Sequence, residues 1–284
     1  MNRTLSVGIL GGTFNPVHNG HLRLAVEVGE ALGLDRVLLT PCASPPHKTH
    51  NGLLPFDLRV AFLRAAVRDI PMLEVSTLEG ELDGPSYTWA SLTERHRRAG
   101  TCSDPDSAPL PAPELRPFFM MGAESFSALH TWRRGMELPK LGHLVMVPRG
   151  GDDLEVFRAS IRRYWPGSLP DDAPGALRDA ATSDDPELLG ASGVPDASTA
   201  SGVPSLLHAP EAGKVPSLRR ETVALAGEAA GGGHCTFLPV PRLDISSTFI
   251  RKRWCEGRSL AGLVPEGVLA LMERERAVLD ALWR

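Results

Sequence analysis

The sequence predicts an α/β protein in which a doubly wound, mostly parallel sheet carries helices on both faces. Three observations lead there. Short apolar runs of strand length alternate with stretches of helical periodicity, the pattern of repeated strand–helix units. The first of these runs ends in a glycine pair immediately before a helix. With 284 residues, 42% of them hydrophobic, the chain is also long enough to bury one sizeable core.

The elements follow in order. "LSVGIL" (5–10) is an apolar run stopped by Gly11 and Gly12, and Leu22, Ala25, Val26, Gly29 and Leu32 then recur at helical spacing. "RVLLTP" (36–41) reads as a second strand ended by proline, and Leu58, Ala61, Phe62, Ala65 and Ala66 mark one face of a second helix. Further strands are expected at "MLEV" (72–75), "FFMM" (118–121), "HLVMVP" (143–148) and "CTFLPV" (235–240). Helices are expected near 87–98, 125–136, 247–256 and 266–282, the last forming a small C-terminal helical part.

Two stretches break this alternation. Residues 101–117 are rich in proline and polar side chains and read as a surface loop inserted between a helix and a strand. Residues 167–233 are dominated by Pro, Gly, Ala, Ser and Asp and hold "SGVP" twice; with so little apolar surface to offset the ordering entropy, they are expected to be a largely disordered insertion, with room for one short helix around 218–229. The whole chain then reads as one domain, 1–284, with two insertions.

Composition narrows the function. A formal charge of −4 gives no global field that would draw the chain to nucleic acid or to an anionic membrane. The cysteines at 42, 102, 235 and 255 form no Cys-x-x-Cys pair and are too few and scattered for a disulfide framework, which suits a reducing cytoplasm. The apolar stretch at the beginning is too short for a signal segment, and no run of 18 apolar residues occurs. A soluble cytoplasmic protein without nucleic-acid or membrane partners is expected.

The chemistry is concentrated in two segments. In "GGTFNPVHNGH" (11–21), glycines at a strand-to-helix turn let a ligand approach the backbone, and the unpaired N–H groups of the helix start favour an anion. The loop lacks the lysine of G-x-x-x-x-G-K-[ST] and is not G-x-G-x-x-G, so another group must meet the charge. His18 and His21, three residues apart at a helix start, lie on one side and can both donate to one polyphosphate. Alone, one histidine would read as a cap and the other as core; Gly-Gly-Thr before the pair and Gly20 between them favour the ligand role. In "DISSTFIRKRW" (244–254), Ser246, Ser247 and Thr248 open a helix with Arg251 one turn inside it, a second phosphate site in the making.

Taken together, "GGTFNPVHNGH" and "ISSTFIR" resemble the nucleotidyltransferases related to class I aminoacyl-tRNA synthetases, whose fold is a Rossmann-like doubly wound sheet. Within that group, "TPCASPPHK" (40–48), "PSYTWASL" (85–92), "MGAESFSALHTWRRG" (121–135), "HLVMVPRG" (143–150) and "LVPEGVLALM" (263–272) are similar in order and approximate spacing to the bacterial nicotinate-nucleotide adenylyltransferases. The likeness covers roughly 1–100, 117–150 and 235–284, and leaves the two low-complexity stretches outside it.

The resemblance implies roles by position. Gly11, Gly12, Thr13 and Phe14 would form the loop on which ATP lies; His18 and His21 would contact its phosphates and, with Lys48 and Arg251, supply positive potential. Ser247, Thr248 and Arg251 would hold the phosphates from the opposite side, with Ile245 and Ser246 near the adenine or ribose. His47 and Lys48 match positions close to the mononucleotide phosphate, Tyr87 and Thr88 the segment that receives the nicotinate side, and Trp132 the aromatic that stacks on the pyridine. Glu124 stands in Gly122-Ala123-Glu124 where the family has Gly-x-Asp, and would serve the ATP ribose. His130 replaces a common proline.

The implied reaction transfers the adenylyl group of ATP to nicotinate mononucleotide, with His18, His21 and Arg251 as the catalytic groups and Mg²⁺ held mainly by substrate phosphates. The residues leave open nicotinamide mononucleotide, glycerol phosphate (with cytidylyl transfer) or phosphopantetheine as acceptor, and a non-catalytic nucleotide-binding regulator, as well as the oligomeric state. A tRNA-handling synthetase is disfavoured, since the chain is acidic and lacks a lysine-rich second signature.

Overall fold

Ile9 and Leu10 are neighbours on one strand yet belong to different cores, and that alternation organises the molecule. The computed structural model describes residues 5–45, 51–101, 111–112, 115–148, 153–170 and 220–284. All elements below belong to one unit formed by Met1–Leu169 and Leu218–Arg284; Pro170–Ser217 form another and, Pro170 apart, lie outside the described residues.

The sheet contains β1 (Val7–Gly12), β2 (Arg36–Pro41), β3 (Leu73–Val75), β4 (Phe118–Gly122), β5 (His143–Val147), β6 (Glu221–Ala224) and β7 (His234–Phe237) in the order β3-β2-β1-β4-β5-β7-β6. Every pairing is parallel except β6 with β7. Leu10, Leu39, Met120 and Val145 face a core shared with α1 (Asn19–Leu32), α2 (Phe56–Val67) and the C-terminal helices α6 (Ser247–Cys255), α7 (Glu266–Arg274) and α8 (Arg276–Trp283). Ile9, Phe119, Leu144 and Met146 face a second core that includes side chains of α3 (Thr88–Ala99), α4 (Ala123–Ser127) and α5 (Asp153–Tyr164). Helices on both faces of a parallel sheet are what the alternation predicts.

Each element obeys local rules. α1 stops because Gly33 takes the left-handed conformation (φ +61°) that lets its N–H and that of Leu34 close onto the carbonyls of Glu30 and Gly29. β1 runs on through Gly11 and Gly12, paired with Thr40 and Pro41, so the glycine pair belongs to the strand rather than ending it.

Four expectations are corrected. The helix expected over 125–136 is only the single turn of α4, followed by 3-10 turns at Leu129–Thr131 and Gly135–Lys140. A Cβ on Gly135 would lie 2.0 Å from the Leu129 carbonyl oxygen, so the chain doubles back where a continuous helix would have run straight. The helix expected over 266–282 is broken at Glu275 into α7 and α8. The helix around 218–229 is instead strand β6, because Thr222 and Val223 pair with Thr236 and Cys235 and Val223 is buried. Ordered chain therefore reaches into the predicted insertion from its C-terminal side; residues 171–219 of it lie outside the described residues. α5 was unforeseen, although it buries Phe157 and Ile161 at helical spacing.

Of the proline-rich stretch, 102–110 and 113–114 lie outside the described residues. Its end is pinned by Arg116, which is buried and donates to the carbonyls of Pro111, Pro139 and Gly231.

Candidate active site

β1 connects outward to β2 and β3, and the chain then returns to β4 on the other side of β1. Strand order thus reverses between β1 and β4, the position where open α/β sheets leave a crevice beyond their strand ends. A cleft of about 920 Å³ lies there. Its walls bring together most of the predicted residues: Gly11, Gly12, Thr13, Phe14, His18 and His21 from the β1–α1 turn, Tyr87 and Thr88 from the start of α3, Trp132, and Ile245, Ser246, Ser247, Thr248 and Arg251 from α6 and the turn before it.

The β1–α1 turn is held in a costly shape. Phe14 has φ +48°, a left-handed conformation uncommon for a bulky residue, and is 2% exposed. Its ring lies against Gly12, where a Cβ would come within 3.2 Å, and meets the His21 ring edge-on at 4.9 Å. His18 is the N-cap of α1, and its backbone N–H donates to His21 Nδ1 at 3.3 Å. Neutral His21 must then carry its proton on Nε2. The two imidazoles stack with centroids 3.7 Å apart. His18 is 4% exposed, and burial pulls its pKa down to about 4, so at neutral pH it is uncharged. In the free protein His18 therefore offers a neutral ring, and its buried Nδ1 has no hydrogen-bond partner among the described residues.

The opposite wall is built by α6. Ser246 is its N-cap, accepting from the Phe249 N–H at 3.1 Å, so that hydroxyl serves the helix itself. Ser247 donates to the Pro16 carbonyl at 2.9 Å, and Arg251 donates to the Asn15 carbonyl at 2.9 Å and to the Thr248 hydroxyl at 3.2 Å. The bonds to Pro16 and Asn15 join segments more than 230 residues apart in sequence and set the histidine turn against the serine-rich helix start. Burial lowers the Arg251 pKa, but a guanidinium keeps its charge.

At the other end of the cleft, Trp132 meets Phe119 edge-on with centroids 6.4 Å apart, and the Arg133 guanidinium sits 5.2 Å from the Tyr87 ring centroid. One expected residue is placed differently, and two others, His47 and Lys48, lie outside the described residues. Glu124 is exposed and is not among the residues lining the cleft; Ser125 and Gly122 line it there instead, because the first turn of α4 directs Glu124 away.

Sequence reasoning missed three residues. Asn15 donates to the Gly52 carbonyl (2.7 Å) and accepts from the Leu54 N–H (3.0 Å), clipping the turn between β1 and α1 to the segment before α2. Arg59, 1% exposed, donates to the carbonyls of Leu54, Thr13 and Cys42. Glu79 lines the cleft, accepts from Ser91 at 2.8 Å, and is pushed above the usual carboxylate range by burial. A signal existed for one: in Phe56, Arg59, Val60 and Leu63, a charge sits on a stripe of otherwise apolar residues.

Among the described residues no group of three or more His, Cys, Asp or Glu side chains is placed to hold a metal ion. The donors at the end of the cleft lined by His18, His21 and Arg251 are imidazole, hydroxyl and guanidinium, which suit phosphate oxygens. No described helix is long and apolar enough to cross a membrane.

Comparisons with known proteins agree with this geometry. A chain of Desulfatibacillum aliphaticivorans named as a probable nicotinate-nucleotide adenylyltransferase is 32% identical over 276 residues, covering 95% of this chain and 98% of that one. One of the same name from Pseudomonas syringae pv. tomato is 33% identical over 267 residues, covering 94% and 90%. Among solved structures, the nicotinic acid mononucleotide adenylyltransferase of Plasmodium falciparum complexed with NaAD shares the fold, with a TM-score of 0.57 at 11% identity over 96% of this chain and 97% of that one. The family model described as cytidylyltransferase-like matches residues 9–253, which hold both the histidine turn and the serine-rich helix start, and the chain belongs to that family of nucleotidyltransferases.

Proposed function

We propose that the protein transfers the adenylyl group of ATP to nicotinate mononucleotide, releasing pyrophosphate and forming nicotinate adenine dinucleotide, a step of NAD biosynthesis. The observation that carries this reading is the meeting of His18 and His21 with Ser247, Thr248 and Arg251 across one cleft that Thr88 and Trp132 also line. The full-length similarity to chains named for this activity supports the acceptor.

No protein nucleophile is needed. A phosphate oxygen of the mononucleotide attacks the α-phosphorus of ATP; that P–O bond forms as the bond to the β-phosphate bridging oxygen breaks, and the electron pair leaves on pyrophosphate. The chain's task is to hold two polyanions in line and to meet charge as it builds on the leaving group. Arg251 supplies a fixed positive charge. His21 presents its Nε2–H, and the unpartnered Nδ1 of His18 becomes a donor once an arriving triphosphate favours protonation of the ring. Gly11, Gly12, Thr13 and Phe14 form the bed for ATP, and Ile245 and Ser246 lie toward its nucleoside. Tyr87, Thr88 and Trp132 receive the nicotinate side, with His47 and Lys48 at the mononucleotide phosphate. Mg²⁺, carried on the oxygens of ATP itself, supplies charge neutralisation between the phosphates. The acidic chain, with no disulfide among the described residues, supports a cytoplasmic location.

Pyrophosphate release with Mg²⁺ is the test: ATP offered with nicotinate mononucleotide, nicotinamide mononucleotide or phosphopantetheine, and CTP with glycerol phosphate, in parallel. Turnover with nicotinate mononucleotide well above the others is expected. Turnover with another acceptor alone would replace the reading, and ATP binding without turnover on any acceptor would make the chain a nucleotide-binding regulator.

A further inference from the structure

Beyond the last ladder pair of β1 and β2, Gly12 with Pro41, one more bond runs from the Cys42 N–H to the Gly12 carbonyl, and the two strands then part. On the adenylyl-transfer reading the turn after β1 serves ATP and the turn after β2 serves the mononucleotide. The carbonyls of Thr13 and Cys42 face each other across this fork, and both accept from the same nitrogen of Arg59, Nη1, at 2.8 and 2.7 Å. Nη2 reaches the Ala43 carbonyl at 3.5 Å, and Nε donates to the Leu54 carbonyl at 3.0 Å. Arg59 comes from α2, beneath both turns, and is 1% exposed; its donors are taken up by backbone oxygens.

We infer that Arg59 is a positioning residue that fixes the separation of the ATP-side turn from the mononucleotide-side turn, and thereby the distance between the two reacting phosphates. This rests on the adenylyl-transfer reading. A planar guanidinium sets the spacing and angle of its acceptors together, whereas a lysine ammonium is a point charge with rotatable donors that cannot hold four oxygens in one plane. Each turn is also tied down separately: Arg251 binds the Asn15 carbonyl on one side, and the Ser44 N–H donates to Ser86 Oγ at 3.0 Å on the other. Loss of the guanidinium should therefore spare each half-site while loosening their relation.

That separation gives the test a signature. A ligand that spans both turns gains from their fixed spacing through effective concentration, and a ligand that occupies one turn does not. Arg59→Lys is compared with wild type by calorimetric affinities for a non-hydrolysable ATP analogue, nicotinate mononucleotide and nicotinate adenine dinucleotide, together with kcat at saturating substrates. Val60→Ala, a buried neighbour on α2 that lines no part of the cleft, controls for lost stability.

In Arg59→Lys the two half-ligands should bind within about twofold of wild type while the dinucleotide weakens about tenfold, and kcat should fall by up to about 100-fold, the cost of misplacing reacting groups by roughly 1 Å. Val60→Ala should show no such split. Wild-type dinucleotide binding and kcat in Arg59→Lys would overturn the positioning role, as would parallel losses for all three ligands matching those in Val60→Ala. Wild-type protein that binds neither the mononucleotide nor the dinucleotide would instead overturn the functional reading beneath it.

Discussion

His18 should make the free protein sensitive to mild acid. Burial in the turn between β1 and α1 lowers its pKa from the ordinary 6.5 to about 4. Between those values the unfolded chain binds a proton at this site that the folded chain refuses, so stability rises with pH across the interval. The contribution is fully present above pH 6.5 and is lost as pH falls through about 4. At 1.36 kcal/mol per pH unit the whole interval is worth about 3 kcal/mol, a large part of an ordinary domain's margin. His96 is also lowered by burial and adds to this slope, while Glu79, raised by burial, opposes it. The difference between wild type and His18→Gln therefore isolates the one ring. The assay is urea unfolding followed by far-UV circular dichroism at half-unit steps from pH 7.5 to 4. Wild type should lose about 3 kcal/mol more than His18→Gln over that range. ATP should bring proton uptake near pH 6, read by calorimetry in two buffers of different ionisation enthalpy, because a triphosphate beside the ring favours its charged form. Parallel stability curves for the two proteins, with no ATP-linked proton uptake, would refute the picture of a buried neutral His18 waiting for an anion.

Three further outcomes follow from the same geometry. A Cβ added at Gly20 would meet His18 Nδ1 at 3.0 Å and the Leu243 carbonyl at 3.1 Å; Gly20→Ala should lower kcat by displacing the ring even though alanine favours α1 by up to about 1 kcal/mol, and an active, more stable variant would contradict this. Arg251→Gln should lower the melting temperature by about a few degrees, because the Asn15 carbonyl loses its donor, and cost kcat about 10²–10³-fold, the loss found when one preorganised donor is removed from a reacting centre; thermal unfolding and initial rates at saturating substrate check it. Trp132→Ala should raise KM for the mononucleotide by an amount equivalent to about 1–3 kcal/mol of lost stacking while leaving KM for ATP unchanged, as a full substrate matrix would reveal.

The residues that line the two facing walls of the cleft were legible because their patterns are local in sequence. Gly-Gly before a helix, two histidines three apart and a serine-rich helix start each announce a purpose within a dozen residues, and the structure brings them to one cleft. Arg59 and Asn15 were not legible because their partners are backbone oxygens and N–H groups, which every residue carries; nothing in the identity of Thr13, Cys42 or Gly52 marks it as an acceptor. β6 was misread because LRRETVALAGEA has helix-forming composition, and only pairing of Thr222 and Val223 with β7 overrides it. Likewise the segment after α4 is turned by the close approach of Gly135 to Leu129, a tertiary contact without periodicity.

A parallel sheet leaves its ligand loops at the strand ends, where the ladder that ordered the strands has run out. In this chain three arginines take over from the ladder. Arg59 joins the turns after β1 and β2, Arg251 joins the first of these turns to α6, and Arg116 joins the end of the proline-rich stretch to the carbonyls of Pro139 and Gly231. All three direct donors at carbonyl oxygens. A carbonyl satisfies a donor without neutralising the cation. Arg116 does not line the cleft. Arg251 does, and the bonds that hold the backbone there leave positive charge in the cleft of a chain whose net charge is −4. Arg59 lies behind the cleft, where its charge and the Glu79 carboxyl influence each other. Positioning and electrostatics are therefore coupled in the same side chains, and replacing Arg59 by lysine, which keeps the charge and gives up the plane, is the substitution that separates them.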